Sequence, residues 1–497
     1  MNNRNNMAGG AARLCRRWAA SFALVSALVL ALAGCHRNRP GIPEGMEGIN
    51  YPPALAPLGT KLMAEGQRNW VLNLNEIAVA AIKMNEREIA KRALDESLLE
   101  INAVFGETPE ARKARNVFFN EDVKLFKGDP YERSMAFFYR GVLYMQDEDW
   151  ENARACFRSA NLQDSFAEEE QNRADWVIFD YLISVCEMQM GREFYAEEAF
   201  DRAMETITHR PGVNRSAPPI AYLPPNQPNT FHRTGGPRRL QSAPTKPPPG
   251  APPDGGGVTT AAPPDFRLIS PETNLLVITG SGEAPQKLRV GDYGQYLGYQ
   301  RGIYRGDPVV QLSGVARPAT ELDSVYFQAS TRGGRPFDRI QGRKVVFKKT
   351  TEAIGMGGTL LGMQVLSASD GGRGSGQQAV AGVALIAAGL GVSAFSSLIS
   401  TKADIRQWTS LPDTVGIVTS DRFSGDQTIR VTIPGSGTVT KNVHLPAPKG
   451  GLVVALALPA PNPAITISPF AEMRAIQPAP QPLTTSTNQP PTQETQP

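Results

Sequence analysis

Histidines, cysteines, glycine-flanked serines and one charge-flanked tryptophan are the side chains of this 497-residue sequence with the clearest capacity for chemistry. The four histidines, His36, His209, His232 and His444, stand apart from one another and show no ligand-type spacing. Zinc draws on clustered His or Cys donors, and histidine acid–base catalysis needs a positioned partner, so neither is expected. Gly372-Arg-Gly-Ser-Gly376 and Gly435-Ser-Gly437 set serine among glycines, but neither lies between a hydrophobic strand and a helix as a nucleophile elbow does. Both read as flexible turns. The sequence contains no phosphate-cradling loop ending in Gly-Lys-Ser/Thr, and a net charge of +3 leaves no electrostatic footprint for nucleic acid. The expectation is a protein without catalytic residues, metal, cofactor or nucleic-acid partner.

Cys35 is the exception. Arg4, Arg13, Arg16 and Arg17 precede an uncharged apolar run from Trp18 to Gly34, the order of a secretory signal. That run is short for a membrane span, which needs roughly 20 residues. Leu32-Ala33-Gly34-Cys35 resembles a bacterial lipobox, with small residues that fit a narrow peptidase cleft and a thiol that takes a diacylglycerol. Cleavage is expected between Gly34 and Cys35, with lipidation of Cys35. Each buried methylene contributes about 0.8 kcal/mol, so several acyl chains give a lasting membrane tether. Residue 36 is His and not the Asp of enteric inner-membrane retention, which favours the outer membrane, facing the periplasm.

Cys156 and Cys186 lie in apolar helical patterns and read first as buried thiols, although an oxidising periplasm also permits a disulfide. Asp404, Arg406 and Trp408 share one face if their segment is extended. A ligand site there is one reading; the preferred one is an ion pair and a tryptophan anchoring the segment to its domain.

The elements that would position these groups follow from composition. Residues 1–34 are the signal peptide, and 35–58, rich in Pro, Gly and Asn, a lipidated tether. Residues 59–210 carry the three-to-four-residue apolar spacing of amphipathic helices. Residues 211–265 contain 15 Pro and 7 Gly and are expected to be a disordered linker. Residues 266–458 show short β-type runs, among them 275–278, 344–347, 415–418, 428–433, 439–443 and 452–456, with Pro434-Gly-Ser-Gly437 as a hairpin connection. Residues 459–497 return to a Pro-rich, disordered tail. Within the β part, residues 379–400 are uncharged and Gly/Ala-rich. They are long enough to span a bilayer, but Ala and Gly contribute little transfer energy each, which favours a helix packed against the β domain.

Asp129-Pro130-Tyr131-Glu132 is a helix start, with Asp129 as N-cap, Pro130 in the first turn and Glu132 reaching back as a capping box. Phe137, Gly141 and Tyr144 in the helix that follows, with Ala153, Phe157 and Ala160 in the next, fall on the signature positions of a tetratricopeptide repeat. Weaker copies flank it, with Leu74, Ala78, Ala81, Ala90 and Leu94 upstream and Ser184, Ala196, Phe200 and Ala203 downstream. Gly141 is expected at the closest helix contact, facing small residues near Ala153. Stacked helix pairs leave a concave surface that ordinarily binds peptides.

Two segments, Pro130-Tyr131-Glu132-Arg133 and Ala403-Asp404-Ile405-Arg406-Gln407-Trp408-Thr409-Ser410-Leu411-Pro412, resemble those of a family of bacterial lipoproteins with tetratricopeptide-like N-terminal halves. That family's second segment runs Ala-Asp-Thr-Arg-x-Trp-x-x-Leu-Pro, and Ile405 stands here in place of Thr. The resemblance covers the helical part and much of the β part, with the linker as an insertion. It implies an envelope role beside lipoproteins that activate cell-wall synthases.

The expected architecture is multidomain: an all-α tetratricopeptide-like domain, then a mainly antiparallel β domain with one apolar helix, joined by a disordered linker. The expected function is a lipid-anchored, periplasm-facing scaffold or adaptor in cell-envelope biogenesis. It would be held to the membrane by acyl chains on Cys35, with a protein or peptide partner on the helical repeat surface. The alternative is a glycan-binding or enzymatic β domain carried on a helical lipoprotein.

Overall fold

A computed structural model describes residues 41–103, 125–165, 175–209, 220–221, 266–290, 294, 296–330 and 402–472. Cys35 and Gly34, the run 344–347, the apolar stretch 379–400 and most of the linker and tail lie outside them. The N-terminal part is helical: α1 (Ala56–Glu65), α2 (Trp70–Lys83), α3 (Arg87–Asn102), α4 (Pro130–Gln146), α5 (Trp150–Ser165), α6 (Val177–Gln189) and α7 (Glu193–His209). Three hairpins, α2/α3, α4/α5 and α6/α7, are each closed by a short turn. Asn85, Glu148 and Gly191 take positive φ at these turns, which ends one helix and reverses the chain. The hairpins stack, with α3 against α4 and α5 against α6.

The C-terminal part is a two-sheet sandwich. Its five-stranded sheet has the order β12-β11-β2-β8-β7, with β2 Leu275–Ser281, β7 Thr320–Ser324, β8 Thr414–Ser420, β11 Val453–Leu458 and β12 Ala464–Ile467. The four-stranded sheet has the order β10-β9-β5-β6, with β5 Val309–Leu312, β6 Val315–Pro318, β9 Gly425–Ile433 and β10 Gly437–Leu445. The β9–β10 hairpin forms at the turn expected around Pro434, where Ile433 pairs with Gly437 and Ser436 N donates to Ile433 O. A third sheet joins β1 (Ile220–Ala221), β4 (Tyr296–Gln300) and β3 (Gln286–Val290). A short helix α8 (Val325–Ser330) follows β7. Pairing is antiparallel except between β2 and β11, which run parallel.

Both faces of β2 are covered, so every one of its residues is buried even though side chains alternate between the faces. Leu276 and Ile278 join the helical core, whereas Leu275 and Val277 join the core between the two sheets. The first helix of each hairpin lies on the helical face of this sheet: α2 meets β12, α4 meets β11 and α6 meets β7. Helices apolar on all sides are buried ones. Accordingly α4 buries every residue except Arg133 and Tyr144, and α6 is buried from Val177 to Glu187.

Several boundaries differ from those read in the sequence. The helical and β parts share one hydrophobic cluster, so they form one body and not two units on a linker. Residues 41–58, expected as a tether, pack on the helices: Met46 and Leu55 are fully buried, and Trp70 Nε1 donates to Gly41 O at 3.0 Å. Ile220–Ala221, inside the expected linker, pair with β4. Residues 459–472, expected as tail, include β12 and a 3-10 turn at Pro469–Ala471. In the first and last of these stretches, the apolar residues Met46, Leu55, Ile465 and Ile467 are buried against a neighbouring surface despite their Pro-rich surroundings. No helix among the described residues is long and apolar enough to cross a membrane.

Gly141 lies at a close helix contact, but against a different neighbour from the one expected. A Cβ there would stand 2.6 Å from Cε1 of Phe157, whose ring is fully buried. Leucine gains under about 1 kcal/mol of helix propensity over glycine, whereas overpacking costs about 1–3 kcal/mol. Gly141→Leu should therefore lower the stability of the full chain by about 1–3 kcal/mol in urea denaturation. An unchanged midpoint would mean that α4 and α5 do not meet at this residue.

Candidate functional site

A buried group of polar side chains lies where α4 meets β3 and the segment 403–412. Asp129 caps α4, and Glu132 sits one turn inside it, its Oε2 accepting from Asp129 N at 2.7 Å as the capping box predicts. The same Oε2 accepts from Lys287 Nζ of β3 at 2.6 Å, and Oε1 accepts from Trp408 N at 2.8 Å. Lys287 Nζ also meets Asp129 Oδ2 at 2.8 Å and donates to Arg406 O at 3.0 Å. Tyr299 Oη of β4 donates to Asp129 Oδ2 at 3.0 Å. The rings of Phe126 and Tyr131 flank the ammonium at 5.5 and 5.6 Å. The site is dry: the side chains of Lys287 and Glu132 are 2% and 1% exposed. Burial raises the pKa of Glu132, opposed by the Lys287 charge and reinforced by that of Asp129.

The two segments singled out in the sequence therefore meet in space, through Glu132 on one and Trp408 on the other. Asp404 and Arg406 form an ion pair at 2.6 Å. Arg406 Nη1 reaches on to Asn69 Oδ1 at 2.7 Å, and Thr409 N and Oγ1 donate to Glu76 Oε1 at 2.8 and 2.7 Å. Trp408 is buried, with its ring 5.7 Å from that of Tyr139 and its Nε1 donating to Ser410 Oγ. Leu411 is buried, and Pro412 packs over Gly280. Along its other edge the segment holds β3, since Gln407 Oε1 accepts from Lys287 N and Ala403 O from Arg289 Nε. The segment is thus a strap between helices and β3, with Asp404, Arg406 and Trp408 all in structural contacts.

Three further polar links join the helices to the β part. Asp323 of β7 accepts from Ile178 N at 2.7 Å, placing a carboxylate at the N-terminus of α6 where the helix dipole favours it. Lys83 Nζ donates to Pro459 O at 2.7 Å, and burial lowers its pKa to about 8 against the opposing pull of Glu76. Gln146 Nε2 donates to Val454 O and Thr466 Oγ1 at 3.3 and 3.2 Å. Within the β part, Arg301 grips the fully buried Asp413 through two nitrogens, at 2.9 and 2.5 Å. Sequence reasoning missed Lys287, Tyr299, Arg301, Asp323 and Asp413. Its one local signal was the capping box, which marked Glu132 without revealing that the carboxylate had further donors to satisfy.

The repeat positions are structural too. Ala153, Phe157 and Ala160 are fully buried, Phe137 is buried, and Tyr144 is half-buried under the guanidinium of Arg140 at 3.7 Å. Cys156 and Cys186 are free thiols; burial pushes Cys156 up to about 12 and Cys186 well above the usual thiol range. Thiols so rarely ionised are poor nucleophiles. Among the described residues no group of His, Cys, Asp and Glu has the makings of a metal site. A cavity lined by Arg267, Arg317, Thr320 and Thr419 has a volume of about 20 Å³, room for about one water.

Comparison with protein-family models, curated proteins and solved structures finds no match for this chain.

The buried lysine is where the arrangement is most easily tested. Removing one partner of a buried pair strands the others in a dry site and costs about 3–5 kcal/mol, far more than an exposed pair. Lys287→Met should destabilise the chain by about that amount at neutral pH. Without the ammonium, the burial that raises the pKa of Glu132 is no longer opposed by the Lys287 charge, so its folded-state value stands further above the unfolded one. Its proton uptake favours the folded state at low pH and that gain is lost as pH rises through the raised value, so the deficit should be smaller at pH 4 than at pH 8. Urea midpoints at the two pH values give the comparison; an equal deficit at both would mean that Glu132 does not depend on Lys287.

Proposed function

We propose that the chain is a lipid-anchored, periplasm-facing scaffold whose tetratricopeptide-like helical array presents a surface to protein partners in cell-envelope biogenesis. The observation that carries the reading is the stack of three helix hairpins. The middle pair brings Gly141 against Phe157 and buries Ala153 and Ala160, close packing that supports a repeat-like pair. The flanking pairs bury Leu74, Ala78, Ala81, Ala90 and Leu94 on one side, and Ser184, Ala196 and Ala203 on the other. The lipobox at Leu32-Ala33-Gly34-Cys35 supports export and acylation, and His36 supports the outer membrane.

The surface available to a partner differs from the one the repeat suggests. The first helices, α2, α4 and α6, face the chain's own sheet. A partner therefore meets the second helices, where Leu99 of α3, Leu162 of α5 and the Phe194–Tyr195 pair of α7 are exposed. Isolated exposed apolar residues are ordinary on a protein surface, and what distinguishes these is their repetition on successive outer helices.

Two measurements test the reading. Fatty-acid labelling should mark the native chain and not Cys35→Ala, which should also retain its signal segment; a labelled Cys35→Ala protein would exclude the anchor. Photo-crosslinkers at residues 162 and 194 in intact membranes should yield discrete protein adducts, and one at buried Ile278 none. Absence of adducts from the outer helices, together with glycan capture by the full chain, would favour the glycan-binding alternative.

A further inference from the structure

The groups around Lys287 have the geometry of a reaction as well as of an ion pair. Nζ lies 2.8 Å from Asp129 Oδ2 and 2.6 Å from Glu132 Oε2, and donates to Arg406 O at 3.0 Å. An amine, a carboxyl able to acylate it and a second carboxylate able to carry protons between them therefore converge on one point. Their side chains are 2%, 5% and 1% exposed, and the buried rings of Phe126 and Tyr131 flank the amine. Water that would hydrolyse an amide is kept out of such a site. Burial also disfavours charged amines and carboxylates, which brings closer the neutral pair that condenses; at Glu132 it raises the pKa.

The two carboxyl groups are held differently. Glu132 has both oxygens on backbone donors, Oε2 on Asp129 N and Oε1 on Trp408 N, which fixes it as a proton carrier beside the amine. Asp129 Oδ2 accepts from the phenol of Tyr299 at 3.0 Å, a donor that draws electron density from the carboxyl and stabilises the oxyanion formed when nitrogen adds to it. Groups held together in this way react with effective molarities of about 10⁵–10⁸ M.

We propose that Lys287 and Asp129 condense to an amide inside the folded chain, with Glu132 carrying the proton, so that this junction is a site of self-catalysed covalent modification. A proton first passes from the Lys287 ammonium to the Asp129 carboxylate. The freed lone pair on Nζ then adds to Asp129 Cγ, and the carbonyl electron pair moves onto the oxygen held by Tyr299. Glu132 takes a proton from the new C–N centre and delivers it to the departing hydroxyl. The carbonyl re-forms as the C–O bond breaks, leaving the Nζ–Cγ amide, one water and Glu132 as the carboxylate it was at the start. No oxidant, reductant or cofactor is consumed. The ion pair assembles the junction during folding, and the amide then ties the cap of α4 to β3 by a bond that survives denaturation. The bond is independent of whether the outer helices bind a partner.

The full chain is denatured, digested with trypsin and read by tandem mass spectrometry. Trypsin does not cut after an acylated lysine, so the amide yields residues 128–133 joined to residues 268–289, lighter by one water than the two peptides together. This branched peptide should be the main form of Lys287 recovered from the native chain, with fragment ions placing the link on Asp129. Lys287→Arg should abolish it, Glu132→Gln should slow its formation at least about 100-fold, and Tyr299→Phe should slow it less. A native chain that releases residues 128–133 and 268–287 as separate, unmodified peptides overturns the proposal, and that reading does not depend on any variant folding. A link carried by Glu132 overturns the assignment of Asp129 as the acylating residue, and an undiminished link in a folded Glu132→Gln chain overturns the proton carrier.

Discussion

A carboxylate taken out of water must have its charge balanced and its lone pairs filled, and Glu132 meets that demand with donors from three separate parts of the chain. Asp129 N comes from the helix cap, Lys287 Nζ from β3 and Trp408 N from the strap. Such a network adds little net stability, because desolvation of the charges offsets most of their attraction. Its effect is on selection: an arrangement of helices and sheets that leaves any of the three donors elsewhere strands a buried charge. The apolar core supplies the cohesion, and β2, covered on both faces, is the layer through which helical and inter-sheet cores are joined. Asp323 at the start of α6, Lys83 on Pro459 and Gln146 on Val454 repeat the theme along the same junction, each a side chain from one part completing the backbone of the other.

The consequence for the architecture is that the helix array and the β sandwich share one hydrophobic core. In a free-standing repeat the inner row of helices is the natural place for a peptide. Here that row is closed by the chain's own sheet, which leaves the second helices as the exposed side of the array. Side chains that looked capable of chemistry in the sequence are engaged in holding this arrangement together, Asp404, Arg406 and Trp408 among them.

Much of the helical half was legible because its signals are local. Three-to-four-residue apolar spacing, a capping box at Asp129 and small residues at repeat positions each depend on neighbours within a turn or two. The β9–β10 hairpin was legible for the same reason, a turn between two alternating runs. What escaped depends on distant partners. β3 carries Lys287, which an alternation argument assigns to solvent until Asp129 and Glu132 are found beside it. The parallel pairing of β2 with β11 has no turn to announce it. Met46, Leu55 and Ile465–Ile467 sit among prolines and glycines, where composition favours disorder and only a waiting apolar surface reverses it.

The central claim is that helices and sheets form one cooperative structure around the Glu132 junction. Native-state hydrogen exchange across a urea series tests it most directly, by comparing the slowest amides of α4 with those of β2 and β11. One cooperative unit predicts that both groups open with the same free energy and the same urea dependence, and that Lys287→Met lowers both together. Persistent protection of the strands at urea concentrations where α4 already exchanges freely would contradict the account and restore two independent domains.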